Sequence, residues 1–431
     1  MTRIIPARFR SNRRASLGRK IRTEIMGKTK QDPGLTLGIG RQWACSVALA
    51  AALMPAVAAA QAAPGQNFKV LYTFGGGTDG GSPTARVARD TAGSLYGTTG
   101  SGGAWNNGTV FKLDPRGREK VLYSFTGGGD GGSPWAGVVL DPAGNLYGTT
   151  FGGGTASCGV IFKLDTAGKE TVLYRFSGGN DGRGLFAGLV LDAAGNLFGA
   201  AAYGGASNLG TVFRLDASGQ LNVLHTFTGG ADGAYPYSDL ILDPTGNLYG
   251  TTYGGGISGT GTIFMLDKTG KETILYSFTG VADGANPWAS LVRDPAGNLY
   301  GTAVYGGDHN CQPPYGCGVV FKLDRAGKET VLHKFGGADG ASPVAGLARD
   351  AAGNLYGTTN RGGGLGCSGL GCGTIFKLDT AGKEKLLHRF SGGADGANPW
   401  AGLLGDAKGK LYGTTFGGGA SNAGVVFKLD T

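Results

Sequence analysis

Seven aspartates recur at one kind of place in this chain: Asp79, Asp130, Asp181, Asp232, Asp283, Asp339 and Asp395, each in a Gly-rich loop and each followed by Gly. Carboxylate and carbonyl oxygens are the ligands calcium takes, so calcium is the metal that such loops would hold. One aspartate per loop, with no second acidic residue beside it, is too few for a tight site. Asp before Gly is also ordinary turn chemistry, in which the carboxylate accepts backbone N–H bonds. The turn is the preferred reading, and no other cofactor is called for.

Histidine and cysteine are the other groups with chemical reach. His225, His333 and His388 share one strand position where the other repeats carry Tyr. A residue interchangeable with Tyr suggests packing or a hydrogen bond rather than catalysis. His309 stands in a loop beside Asp308 and Cys311, where a solvated histidine is expected. Cys158, Cys317 and Cys372 occupy one repeat position. Two of the loops leading to it are longer than the rest, and each brings one new cysteine, Cys311 and Cys367. Local disulfides Cys311–Cys317 and Cys367–Cys372 are expected, pinning two enlarged loops in an oxidising compartment. Cys158 has no such neighbour and is expected as a free buried thiol. A zinc site would need a C-x2-C pair, which these spacings lack. No G-x-S-x-G, H-E-x-x-H or P-loop motif is present. Site residues for catalysis are therefore not assigned.

Aromatic residues give the best hint of a ligand. Thr84, Trp135, Phe186, Tyr237, Trp288, Val344 and Trp400 hold equivalent positions, at the entrance to the first strand of each repeat. Trp135, Phe186, Tyr237, Trp288 and Trp400 are the candidate ligand-binding residues. Their rings would stack on sugar rings or grip a peptide. Packing between repeats also uses aromatics, and it is the preferred reading from sequence alone.

What positions these residues is a repeat. Leu-Tyr-Gly-Thr-Thr recurs with its aromatic at Tyr96, Tyr147, Phe198, Tyr249, Tyr300, Tyr356 and Tyr412, spaced by 51 residues four times and then by 56 twice. Two strand-like strings keep step: Val-Leu-Tyr-x-Phe and Phe-Lys-Leu-Asp. Each repeat holds four short β-branched or aromatic runs, which read as strands A to D. In the second repeat these are 136–140, 146–150, 160–164 and 171–176. Turns of the type Asp141-Pro142-Ala143-Gly144-Asn145 join A to B, and Asp165-Thr166-Ala167-Gly168-Lys169 joins C to D. Four meandering strands per roughly 50 residues make a propeller blade. The fold expected is all-β: a seven-bladed β-propeller of four-stranded antiparallel blades over 68–431. The series opens with a D strand and ends with a C strand. The N-terminal strand should therefore pair with the last blade and remove its exposed edge. The D–A and B–C loops then share one face, and the variable loops lie there.

Composition agrees with this. Of 431 residues 87 are Gly, which excludes a helical bundle because Gly costs about 1 kcal/mol per helical position. The net charge of +9 sits entirely in residues 1–42, whose eleven Lys and Arg face only Glu24 and Asp32. The body is neutral, so nucleic acid is not expected as a partner. An apolar run from Trp43 to Ala60 and the small residues after it describe a basic leader and secretory signal over 1–62, with a short linker at 63–67. Met26 would make a more usual start than Met1. Arg13-Arg14 lies too far upstream for twin-arginine export. The mature chain is expected to be exported, monomeric and without a membrane span.

The string Gly-Asn-Leu-Tyr-Gly-Thr-Thr, then Gly-Gly-Gly, then Gly-Thr-Val-Phe-Lys-Leu-Asp resembles the GloVer (Gloeo–Verruco) tandem-repeat family of exported bacterial proteins, over essentially all of 68–430. The resemblance implies export and a propeller-like array. It implies no settled activity and no catalytic residues. The chain stops at Asp430-Thr431, the end of a strand, so the sorting tail of many members is not expected. Three functions follow from the sequence: an exported binding module for carbohydrate or an extracellular protein, an extracytoplasmic propeller enzyme (hydrolase, lactonase or lyase), and a structural envelope protein. Convergent carboxylates or histidines at the channel mouth would favour the enzyme. Exposed aromatic rings without titratable neighbours would favour binding.

Overall fold

The computed structural model describes residues 68–364 and 366–431. The leader, the signal with its cleavage site and the linker lie outside the described residues. Strand β1 (Phe68–Thr73) is followed by the A to D strands of blade one: β2 (Ala88–Arg89), β3 (Leu95–Thr99), β4 (Thr109–Leu113) and β5 (Glu119–Ser124). Strands β6–β25 repeat that order through blades two to six. Strands β26 (Leu404–Gly405), β27 (Lys410–Thr415) and β28 (Val425–Asp430) are the A, B and C strands of blade seven. Each of the seven sheets has four strands, all antiparallel. The seventh is ordered β1-β28-β27-β26, with Phe68 opposite Leu429 and Thr73 opposite Val425. The front of the described chain closes the ring, as the strand phase predicts.

The repeat motifs now acquire physical reasons. The C-strand Phe of each blade lies over the Gly of its own B strand. A Cβ on Gly148 would stand 2.7 Å from the Phe162 ring, too close for any side chain. With that space filled, the ring meets the D-strand Phe of the preceding blade edge to face. Phe125 and Phe162 have centroids 5.1 Å apart at 66°. The same pair recurs at all seven contacts, out to 5.5 Å for Phe390–Phe427. Such pairs are worth about 0.5–1.5 kcal/mol each beyond the area they bury. The core is accordingly divided into clusters between neighbouring blades. In one of them Val110 and Phe125 of blade one pack with Val138, Leu146 and Phe162 of blade two.

The threonines join the blades by hydrogen bonds. The Thr98 hydroxyl donates to the Ala136 carbonyl of the next blade, 2.8 Å away. Thr149, Thr251, Thr302, Thr358 and Thr414 do the same to Ala187, Ala289, Ala345, Ala401 and Ala85. The second threonine works within its blade: the Thr99 hydroxyl donates to the Ser101 carbonyl and accepts from the Thr109 N–H. These bonds correct the expected strand A. It spans two residues, Val139–Leu140 in blade two, rather than 136–140. The carbonyl of Ala136 is taken by the neighbouring blade's threonine, so the chain there lines the axis instead of joining its own ladder.

The two hairpin sets form one uniform face. Asp141 accepts from the Asn145 N–H and side-chain amide and from the Tyr147 hydroxyl. This ties the turn Asp to the tyrosine of Leu-Tyr-Gly-Thr-Thr. On the other face, single bridges such as Gly132–Gly152 fasten the D–A loop to the B–C loop. A chain beginning at Gly75 would lack β1 and expose the edge of β28. It should form concentration-dependent aggregates in light scattering and unfold well below the full chain. Unchanged melting of a monomeric product would show that the terminal strand does not close the ring.

Candidate functional site

The seven residues at the entrance to strand A converge on the axis. Thr84, Trp135, Phe186, Tyr237, Trp288, Val344 and Trp400 all line one central cavity of about 520 Å³. Thr84 and Val344 are buried, and the five aromatics are half-exposed toward the cavity. They also touch one another. Trp135 meets Phe186 at 6.0 Å, Phe186 meets Tyr237 at 5.2 Å, and Trp288 meets Trp400 at 6.1 Å, all edge to face. Tyr237 and Trp288 are stacked, 4.1 Å apart and 6° from parallel. The packing and ligand readings therefore describe the same side chains: the rings support one another and still present surface to the channel.

A second tier of aromatics, not anticipated from the sequence, surrounds the first. Phe151, Tyr203, Tyr253 and Phe416 come from the start of the B–C loops and lean on the inner ring. Phe151 lies 5.0 Å from Phe186, and Tyr253 lies 5.5 Å from Trp288. The Tyr203 and Tyr237 hydroxyls are hydrogen-bonded at 2.8 Å. Burial and this bond raise the pKa of Tyr237, which keeps the phenol neutral. The aromatic alternates between two adjacent loop positions from repeat to repeat, so a column of equivalent residues does not reveal it.

Three charged residues stand among these lining residues, Arg86, Arg89 and Asp239, and the sequence reading missed them; the Arg89 guanidinium lies over the Tyr412 ring, 5.6 Å from its centroid. Two residues past the aromatic ring, the seven blades present Arg86, Gly137, Gly188, Asp239, Ser290, Gly346 and Gly402. Asp239 Oδ1 accepts from the Gly188 N–H at 2.6 Å. Enclosure by the ring of blades raises the Asp239 pKa against the pull of that N–H and of Arg86, and lowers that of Arg86 against the pull of Asp239. Comparing this one position across the repeats would have found the pair, since the other five residues are Gly or Ser. No histidine, cysteine or glutamate lines the cavity among the described residues.

The loop aspartates do turn work. Asp130 accepts from the Thr126 N–H at 2.8 Å, from the Thr126 hydroxyl, and from the Tyr123 hydroxyl at 2.9 Å. Asp79, Asp181 and Asp283 accept from Tyr72, Tyr174 and Tyr276 in the same way. Where histidine replaces the tyrosine, His333 Nε2 lies 2.8 Å from Asp339 and His388 Nε2 lies 3.1 Å from Asp395. At Asp232 the contact opens, and His225 Nε2 lies 3.6 Å from both Asp232 and Glu272. Burial lowers the His225 pKa and keeps the ring neutral. These seven aspartates lie outside the residues that line the channel.

Both expected disulfides are formed, Cys311–Cys317 and Cys367–Cys372. They remove the four cysteines that a zinc site would have needed. Cys158 is a free thiol, half-buried rather than buried as expected, with its Sγ 3.3 Å from the Ala156 carbonyl. His309 Nδ1 meets the Pro314 carbonyl at 2.9 Å within its exposed loop.

A ring of seven sheets around an aromatic-mouthed channel defines a β-propeller with an axial cavity. The chain belongs to the Gloeobacter/Verrucomicrobia repeat family, whose pattern matches residues 58–189, 106–313 and 311–431. No curated protein matches it. Among solved structures it is similar to the extracellular domain of BT4673 from B. thetaiotaomicron, at 13% identity and a TM-score of 0.55, over 84% of this chain and 39% of that one. The chain thus spans about two-fifths of that relative's length. It is also similar to XC5397 from Xanthomonas campestris, a gluconolactonase, at 14% identity and a TM-score of 0.43, over 85% of this chain and 89% of that one. At such identities the likeness is one of fold.

Carboxyl pairs between blades generate a pH dependence. Burial, reinforced by Asp79, Asp130, Asp232 and Asp283, pushes Glu119, Glu170, Glu272 and Glu329 up to about 7. An unfolded Glu ionises near about 4.3. The folded state therefore binds more protons between these values, and stability falls as pH rises through that window. Burial also opposes the charge on Asp130 and Asp395, but their N–H, hydroxyl and histidine bonds outweigh it and hold both pKa values below normal. That contribution is lost only at lower pH. The melting temperature should decline from about pH 5 to pH 7.5, and Glu→Gln changes at the four sites should flatten the decline. A midpoint that rises over this range would contradict the assignment.

Proposed function

We propose that this protein is an exported binding module that holds a carbohydrate ring in the mouth of its axial channel. The observation that carries the reading is the set of half-exposed rings, Trp135, Phe186, Tyr237, Trp288 and Trp400, around one cavity. The apolar C–H face of a sugar packs on an aromatic face, while its hydroxyls need polar partners nearby. Ser290, Arg86 and Asp239 supply such partners in the same cavity. Its volume of about 520 Å³ lies within the usual range for small-ligand sites. Export is supported by the leader and by the two disulfides, which persist in oxidising compartments.

The propeller-enzyme reading has less support. Acid–base hydrolysis asks for carboxylates or histidines that converge on a substrate. Asp239 is the single carboxylate among the cavity-lining residues described. A protein partner is the second reading. It is favoured by Trp105, Ile257, Val281, Tyr315 and Leu370, large apolar residues exposed on the D–A and B–C loops.

A glycan screen with the full chain, followed by calorimetry on the best binder, tests the proposal. Trp135→Ala, Trp288→Ala and Trp400→Ala should each weaken binding roughly tenfold, as loss of a stacking face of about 1–1.5 kcal/mol requires. If all three variants kept the parent affinity, the channel mouth would not be the binding site.

A further inference from the structure

Resting on the carbohydrate reading, we infer that Arg86 and Asp239 select a sugar that carries a carboxylate, with Arg86 gripping the acid and Asp239 accepting from the sugar's hydroxyls. The two side chains come from blades one and four, so they enter the cavity from well-separated points of the ring. No ion pair joins them among the described residues. The Arg86 guanidinium donates to no described protein group. Asp239 takes one protein donor, the Gly188 N–H, on Oδ1, which leaves Oδ2 without one. Both residues are exposed within the cavity.

Both side chains are exposed to the channel, and neither is tied into the scaffold by an ion pair among the described residues. The equivalent positions in the other blades carry Gly or Ser, so the ring needs no long side chain there. Gly137 in fact has no room for one, since a Cβ would stand 2.6 Å from the Arg86 carbonyl. What remains is an unsatisfied fork of donors on one side and a free acceptor on the other, behind a mouth of aromatic rings. Guanidinium donors match a carboxylate in a planar, two-bonded geometry. A carboxylate such as Asp239 accepts from hydroxyls. A pyranose ring bearing an acid group answers all three demands together: a C–H face for the rings, an anion for Arg86 and hydroxyl donors for Asp239. The lowered pKa of Arg86 runs in the direction that a bound carboxylate would relieve.

Calorimetry with trigalacturonate and its fully methyl-esterified form tests this, because the two probes share rings and differ in charge. The acid should bind the full chain at least about tenfold more tightly than the ester, the range expected of a charged hydrogen bond. Arg86→Gln should bring that ratio to about one, weakening the acid far more than the ester. Asp239→Asn should weaken both probes yet raise the ratio, because it removes a negative charge near the acid. The opposite signs separate selection from damage to the fold, and Arg86→Lys, which keeps charge without the fork, should lower the ratio only in part. Equal binding of acid and ester by the parent, or a ratio that survives Arg86→Gln, would overturn the inference while the carbohydrate reading stands. A zwitterionic tripeptide that displaces the uronate at lower concentration would overturn the choice of sugar. If neither probe nor any neutral oligosaccharide bound, the carbohydrate reading would fall and this inference with it.

Discussion

Everything in this molecule hangs on a phenylalanine that reaches across a gap left by glycine. The ring of Phe162 occupies the space over Gly148 that a side chain would fill, and its edge-to-face contact with Phe125 joins two blades. Repeated around the axis, this contact sets the spacing of the sheets and thereby the width of the channel. The threonine bonds add direction to it: six of the seven inner segments offer an Ala carbonyl to the blade before. The innermost strand is shortened in this way, and the segment before it carries the residues that line the channel.

The same regularity explains where variation is tolerated. On the hairpin face Asp, Gly and Asn are held by turn bonds, and there is little latitude. At the axis the residue two places past the mouth changes from blade to blade among Gly, Ser, Arg and Asp, although Gly137 has no room for a side chain. In the loops the disulfides brace the two insertions of blades five and six, and large apolar side chains stand out toward solvent. The scaffold is uniform, and individuality is confined to the axis and the loop face.

Charge is distributed by the same logic. The loop aspartates are consumed by turn N–H groups and, at six of the seven blade contacts, by a Tyr or His hydrogen bond; at Asp232 the His225 contact is open. In the last contact Phe68 replaces the glutamate found in most others and stacks on His388 at 3.9 Å. The closing strand thus seals the ring with an aromatic pair where other blades place a carboxyl. These groups lie outside the residues that line the channel, whereas Arg86 and Asp239 line it.

The sequence by itself determined the number of blades, the order of strands, the closure by the first strand and both disulfides. Each of these rests on local spacing: a repeat in register, turn residues at set offsets, a cysteine gained with each insertion. It also brought the seven mouth residues to one ring, because equivalent positions in a circular array must share a radius. Tertiary structure alone decided the length of strand A and the second tier of aromatics, whereas Arg86 and Asp239 share a repeat position and so, by the same rule, one radius. Strand A is cut short by a hydrogen bond to another blade, which no local pattern encodes. The charged pair lies 153 residues apart along the chain, in two repeats that otherwise read alike. Only closing the ring brings them into one cavity.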